Sequence, residues 1–136
     1  MGYETAVQTA VFQRLNNHTA LQDMVTNVYD SVPETATLPY VTIGEDVITE
    51  ADTADTLGVE ASITVHVWTD TASGTRGRKQ AKTIQGVIYE ALHRAELTAE
   101  GYSIFAADFV NSQSFKDVDG LSWHGVQTFN LLIDKR

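Results

Sequence analysis

From Val59 to Thr69 apolar and polar residues alternate, with Trp68 as the one exception, and this period of two constrains the fold more than any other feature of the chain. Val59, Ala61, Ile63, Val65 and Val67 fall on one side; Glu60, Ser62, Thr64, His66 and Trp68 fall on the other. Successive side chains of a strand point to opposite faces, so the segment predicts a β-strand with one face in a core. A sheet must surround it, because a strand or hairpin alone is marginal in water.

Three further strands are expected. One starts at Tyr40-Val41-Thr42-Ile43, another runs from about Tyr102 to Ser114, and the last from Trp123 to Asp134. The last two are joined by Asp117-Val118-Asp119-Gly120, whose Asp-Gly is a tight-turn signal. Helices read from a different period. Tyr3, Val7, Val11 and Leu15, with Ala10 beside them, make a stripe over about Tyr3 to Asn16. Thr19 with Gln22 resembles a capping box opening a short helix. A longer helix, from about Arg76 to Ala95, buries Ala81, Ile84, Ile88, Ala91, Leu92 and Ala95. The expected fold is therefore α+β. It has a four-stranded, mainly antiparallel sheet with two main helices on one face, in the order helix, short helix, two strands, helix, two strands.

The 136 residues suit a single domain over 1–136. Absence of cysteine removes disulfides, thiolate metal sites and a Cys nucleophile. No apolar run reaches the length of a membrane span. Met1-Gly2-Tyr3-Glu4 has neither a basic nor an apolar leader region, so no signal peptide is expected.

Charge is unevenly placed. The net value is -9, and between Arg14 and Arg76 there is no Lys or Arg. Glu45, Asp46, Glu50, Asp52 and Asp55 crowd a Thr-rich stretch, about 45–58, read as an acidic hairpin arm or mobile loop. Arg76, Arg78, Lys79 and Lys82 cluster at a helix start, where the dipole favours negative charge instead. These unlike patches are the candidate subunit interface, with Trp68 on the open sheet face. A head-to-tail contact between unlike surfaces closes into a ring when its rotation permits. So acidic a chain should repel a phosphate backbone, which argues against ordinary duplex binding.

No nucleophile elbow or phosphate loop is present. His18, His66, His93 and His124 lie on different elements, and only His66 and His124 could meet, across the sheet. Asp117 and Asp119-Gly120 resemble the start of a calcium loop, but the closing Glu is missing and a tight turn explains them better. No catalytic residue, cofactor or metal is expected.

Several ordered blocks carry a family likeness: Val28-Tyr29-Asp30 with Val32-Pro33, Leu38-Pro39-Tyr40-Val41-Thr42-Ile43-Gly44-Glu45, Ile63 through Trp68, Ala91-Leu92-His93, and Asp117-Val118-Asp119-Gly120 leading to Trp123-His124-Gly125-Val126. In these the chain resembles the tail terminator, or tail completion, proteins of long-tailed phages and gene transfer agents. The resemblance implies a structural virion subunit that caps the head-proximal end of the tail tube as a ring, typically a hexamer. It stops tube polymerisation and joins tube to head. It also implies contacts with itself, the major tail-tube protein and a head-completion or stopper protein, with DNA passing through without sequence-specific binding. Other readings are a different head–tail joining or minor tail protein, a metal-dependent hydrolase using His66 and His124, and an acidic decoy that mimics DNA.

Overall fold

The alternating segment lies at the centre of a sheet. The computed structural model describes residues 2–51, 58–70, 78–118 and 120–135. In chain order they form α1 (Tyr3–Asn16), α2 (Thr19–Gln22), β1 (Val28–Tyr29), β2 (Tyr40–Glu50), β3 (Gly58–Asp70), α3 (Arg78–Leu92), β4 (Leu97–Ala99), β5 (Tyr102–Lys116) and β6 (Ser122–Lys135). Arg76 and Asp119, and with them the expected start of the second helix and part of the tight turn, lie outside the described residues.

The four-stranded, mainly antiparallel sheet under two main helices is not what forms. Among the described residues strand accounts for 48%, and the sheet has six strands in the order β1-β2-β3-β6-β5-β4. It is mixed, because β1 pairs with β2 in parallel, Val28 opposite Val41. The two unexpected strands are two and three residues long, too short for alternation to reveal them. Nor do the helices layer a flat sheet. Helix α1 touches both β2 and β4, which stand near opposite ends of the strand order, so the sheet curls around it. Register shifts at Ile43/Asp46 on β2 and at Phe105/Asp108 and Phe109/Asn111 on β5 are bulges of the kind that bend a strand.

The concave face holds the core. Ala61, Ile63, Val65 and Val67 of β3 and Phe129, Leu131 and Ile133 of β6 are buried there against Val7, Val11 and Leu15 of α1 and Ile84, Ile88 and Leu92 of α3. The α1 stripe thus behaves as its spacing predicts, and Tyr3 at its start packs edge-on to Tyr102 at 5.4 Å. Arg14 Nε donates to the Ala91 carbonyl at 2.7 Å, tying α1 to the end of α3. Helix α3 stops at Leu92 because Arg94 takes a left-handed conformation, φ 55°, a conformation that ends helices. Arg94 then faces Asp108 of β5, 3.9 Å away. At the β5–β6 turn the Gly120 N–H donates to the Asp117 carbonyl, and Gly120 has φ 70°, which suits glycine. Among the described residues no helix is long and apolar enough to cross a membrane.

Candidate functional site

Among the described residues no helix covers the convex face of the sheet, and its side chains form rows across the strands. In one row Tyr40 of β2 stands opposite Trp68, Trp68 opposite His124, and His124 opposite Phe115. The next row begins Thr42, His66, Val126. The sequence expectation that His66 and His124 could meet is realised between these rows. His66 Nδ1 lies 2.6 Å from His124 Nε2, and His66 Nε2 lies 2.8 Å from Glu45 Oε1.

An ionised carboxylate only accepts, so His66 donates Nε2–H to Glu45; for two neutral imidazoles the order that satisfies both contacts has His124 donating Nε2–H to His66 Nδ1. The bulge on β2 places Glu45 for this contact. Gly44 beside it is required by space, since a Cβ there would stand 2.5 Å from the His66 ring. The His66 hydrogen bond is the main cause holding the Glu45 carboxyl below the usual range. Burial, then the neighbouring His66, pushes the His124 imidazole down. Trp68 stacks on His124 at 3.7 Å between ring centroids, and Phe115 meets the same imidazole edge-on at 5.0 Å. Both His66 nitrogens are occupied, so the arrangement is a hydrogen-bond chain that runs from exposed Glu45 to an imidazole packed between aromatic rings.

The charged candidates divide. Arg78, Lys79 and Lys82 lie exposed on the first two turns of α3. Arg78 stacks its guanidinium over the Trp123 ring at 4.4 Å, so its charge is held to the rim of β6. Glu45, Asp46 and Glu50 lie on β2, where Asp46 and Glu50 pair along β3 and Glu45 falls in the bulge between Ile43 and Asp46. Only Glu45 points to the convex face; Asp46 sits opposite Ile63 and faces Glu4, Thr5 and Gln8 of α1. Asp52 and Asp55 of the acidic stretch, like Arg76, lie outside the described residues. The structure therefore puts the two charge sets on separate flanks. Between β2 and β5, over which α3 packs, stand β3 and β6, about 14 Å of sheet at the usual strand spacing.

A polar seam under α3 escaped sequence reasoning. Gln85 is buried in the helix stripe; its Nε2 donates to the Gln113 carbonyl at 3.0 Å, and its own carbonyl accepts from Gln127 Nε2 at 3.0 Å. Gly125 makes room for it, because a Cβ there would meet Gln85 Nε2 at 2.6 Å. The available signal was a Gln between Ile84 and Ile88 on the buried face of a helix. Beside the seam, Lys82, Gly86 and Tyr89 of α3 and Ser112 and Gln113 of β5 line an open cleft of about 430 Å³.

Known proteins share this architecture. Residues 9–134 match the family described as tail completion protein gp17. The tail completion protein gp17 of Bacillus phage SPP1 is 31% identical over 121 residues, covering 89% of this chain and 87% of that protein. The solved structure of bacteriophage SPP1 gp17 superposes with a TM-score of 0.63 at 29% identity, over 93% of this chain and 88% of that one. A chain in the virion of a native gene transfer agent particle superposes more closely, with a TM-score of 0.85 at 25% identity, over 98% and 99%.

Proposed function

The chain belongs to the tail completion protein gp17 family and is a structural protein of a phage-type tail; from this premise we propose that it acts as the tail terminator, a ring of identical subunits at the head-proximal end of the tail tube. There the ring stops tube growth and offers a surface to a head-completion protein, while DNA passes through its centre. Its partners are then further copies of itself, the tail-tube protein and the head-completion protein, and its role is to assemble rather than to catalyse.

The observation that carries the ring is the separation of charge on one curled sheet. Lys82 stands beside β5 and Arg78 over Trp123 of β6, with Lys79 next to it on α3, whereas Glu45, Asp46 and Glu50 lie on β2. A surface bearing both signs on opposite flanks is self-complementary only head to tail, and such contacts make closed rings. The likeness to a chain of an assembled gene transfer agent virion supports the same reading. The net charge of -9 also suits a channel along which DNA slides without adhering.

The experiment is a double reversal, Arg78→Glu with Lys82→Glu, followed by mass measurement in the presence of tail tubes. Wild-type protein should be recovered in ring-sized assemblies, and the double variant as a folded monomer. An unchanged assembly mass would remove these basic residues from the contact.

A further inference from the structure

The same curled sheet has two unfinished edges. Among the described residues β1 covers β2 only at Val41 and Thr42, and β4 covers β5 only from Tyr102 to Ile104. Beyond those points no described strand pairs with the outer side of either. An uncovered edge leaves backbone N–H and C=O groups directed outward, a template for another strand.

Resting on the ring reading above, we infer that β2 of one subunit pairs with β5 of the next, so that the sheets of neighbouring copies join edge to edge around the ring. Three features of the molecule support this. The first is regularity. On β2, Asp46 to Thr49 pair one-to-one with β3 after the bulge, and on β5, Asn111 to Lys116 pair one-to-one with β6 after theirs. Each edge thus offers one straight stretch bounded by a bulge. Upstream of Asn111 the edge is closed, since the Phe109 N–H is taken by His93 Nδ1 at 3.2 Å. Within the straight stretch Gln85 takes one lone pair of the Gln113 carbonyl and leaves the second.

The second is direction. β2 with β3, β3 with β6, and β6 with β5 are all antiparallel, so β2 and β5 run in opposite senses. A copy related by rotation about an axis along the strands brings its β2 antiparallel to β5, continuing the alternation. The third is chemistry. The β2 stretch carries Asp46 beside Glu45, whereas the β5 stretch ends at Lys116 and lies beneath Lys82 of α3. The joint would also shelter Val47, 61% exposed on β2, and Phe115, 40% exposed on β5.

Because the chain has no cysteine, cross-linking can be read without background. Val47→Cys with Gln113→Cys puts one thiol on each edge, both on the convex face; Thr49→Cys with Asn111→Cys is an independent second pair. Assembled tails carrying each double variant are treated with a short bis-maleimide and resolved under denaturing conditions. The inference expects a ladder of covalent multimers from at least one pair, and only monomer from the four single-cysteine variants. Rings present in the tails with no ladder from either pair would overturn the edge joint while leaving the ring reading intact. Dimers from a single-cysteine variant would overturn it too, since they report like-to-like contact. Tails that contain no ring of this protein would defeat the ring reading itself.

Discussion

His66 Nδ1 and His124 Nε2 stand 2.6 Å apart on the convex face of the sheet, with Glu45 Oε1 2.8 Å from the other nitrogen of His66. The chain is satisfied when both imidazoles are neutral. One added proton still leaves one of the two facing nitrogens an acceptor; only with both rings cationic would two N–H groups be set against each other.

Stability should therefore fall in mild acid. The His124 imidazole is pushed down by burial and by His66, while Asp117 and Glu45 oppose this more weakly. With its folded value below its unfolded one, the unfolded chain binds more protons between the two. The contribution is complete above about pH 6.5 and is lost as pH falls from there towards the lowered value. Glu45, held low mainly by His66, adds a second loss further into acid, as pH falls through its folded value. Thermal melts between pH 8 and pH 4 should show the melting temperature declining in both windows, on the order of pH 6.5 and then below about pH 4.3. In His124→Phe the upper decline should disappear.

Gly44→Ala should displace His66, because the added methyl would lie 2.5 Å from its ring. Overpacking of this kind costs about 1–3 kcal/mol, measurable by chemical denaturation. The cost of Gly44→Ala should shrink when His66→Ala removes the ring, leaving only the Thr64 carbonyl, 3.2 Å from the added methyl.

Gly125→Ala should cost a similar amount, about 1–3 kcal/mol, by forcing the Gln85 side chain off its bond to the Gln113 carbonyl. Here the diagnostic is local: amide exchange should quicken in the first half of α3 before it does in β3 or β6.

Arg78→Ala should weaken the basic flank in two ways, by removing a charge and by uncovering Trp123, over which the guanidinium lies at 4.4 Å. The stability loss is small, about 0.5–1 kcal/mol for an exposed cation–π pair. Indole fluorescence should shift to longer wavelength, and an unchanged spectrum would deny the stacking.

Much of the fold was legible because burial imposes a period. The stripe of α1 and the alternation of β3 lie where their spacing puts them, and Gly120 stands between β5 and β6 as its turn signal predicts. The sheet was undercounted because β1 and β4 owe their existence to neighbours. Val28-Tyr29 and Leu97-Thr98-Ala99 are too short to carry a pattern and become strands only when β2 and β5 supply partners. The same limit hid the site. Strand spacing could place His66 and His124 on one face, but a bulge brings Glu45 to them, and a bulge has no period. The Gln85 seam was masked by reading the α3 stripe as wholly apolar.

The central claim is that this subunit terminates the tail tube. It is tested most directly by the length distribution of tail tubes, measured by electron microscopy, from particles assembled with and without this protein. The account predicts tubes of one length with the protein present, and headless tubes of unregulated, greater length without it. Tubes of normal length joined to heads in its absence would contradict it.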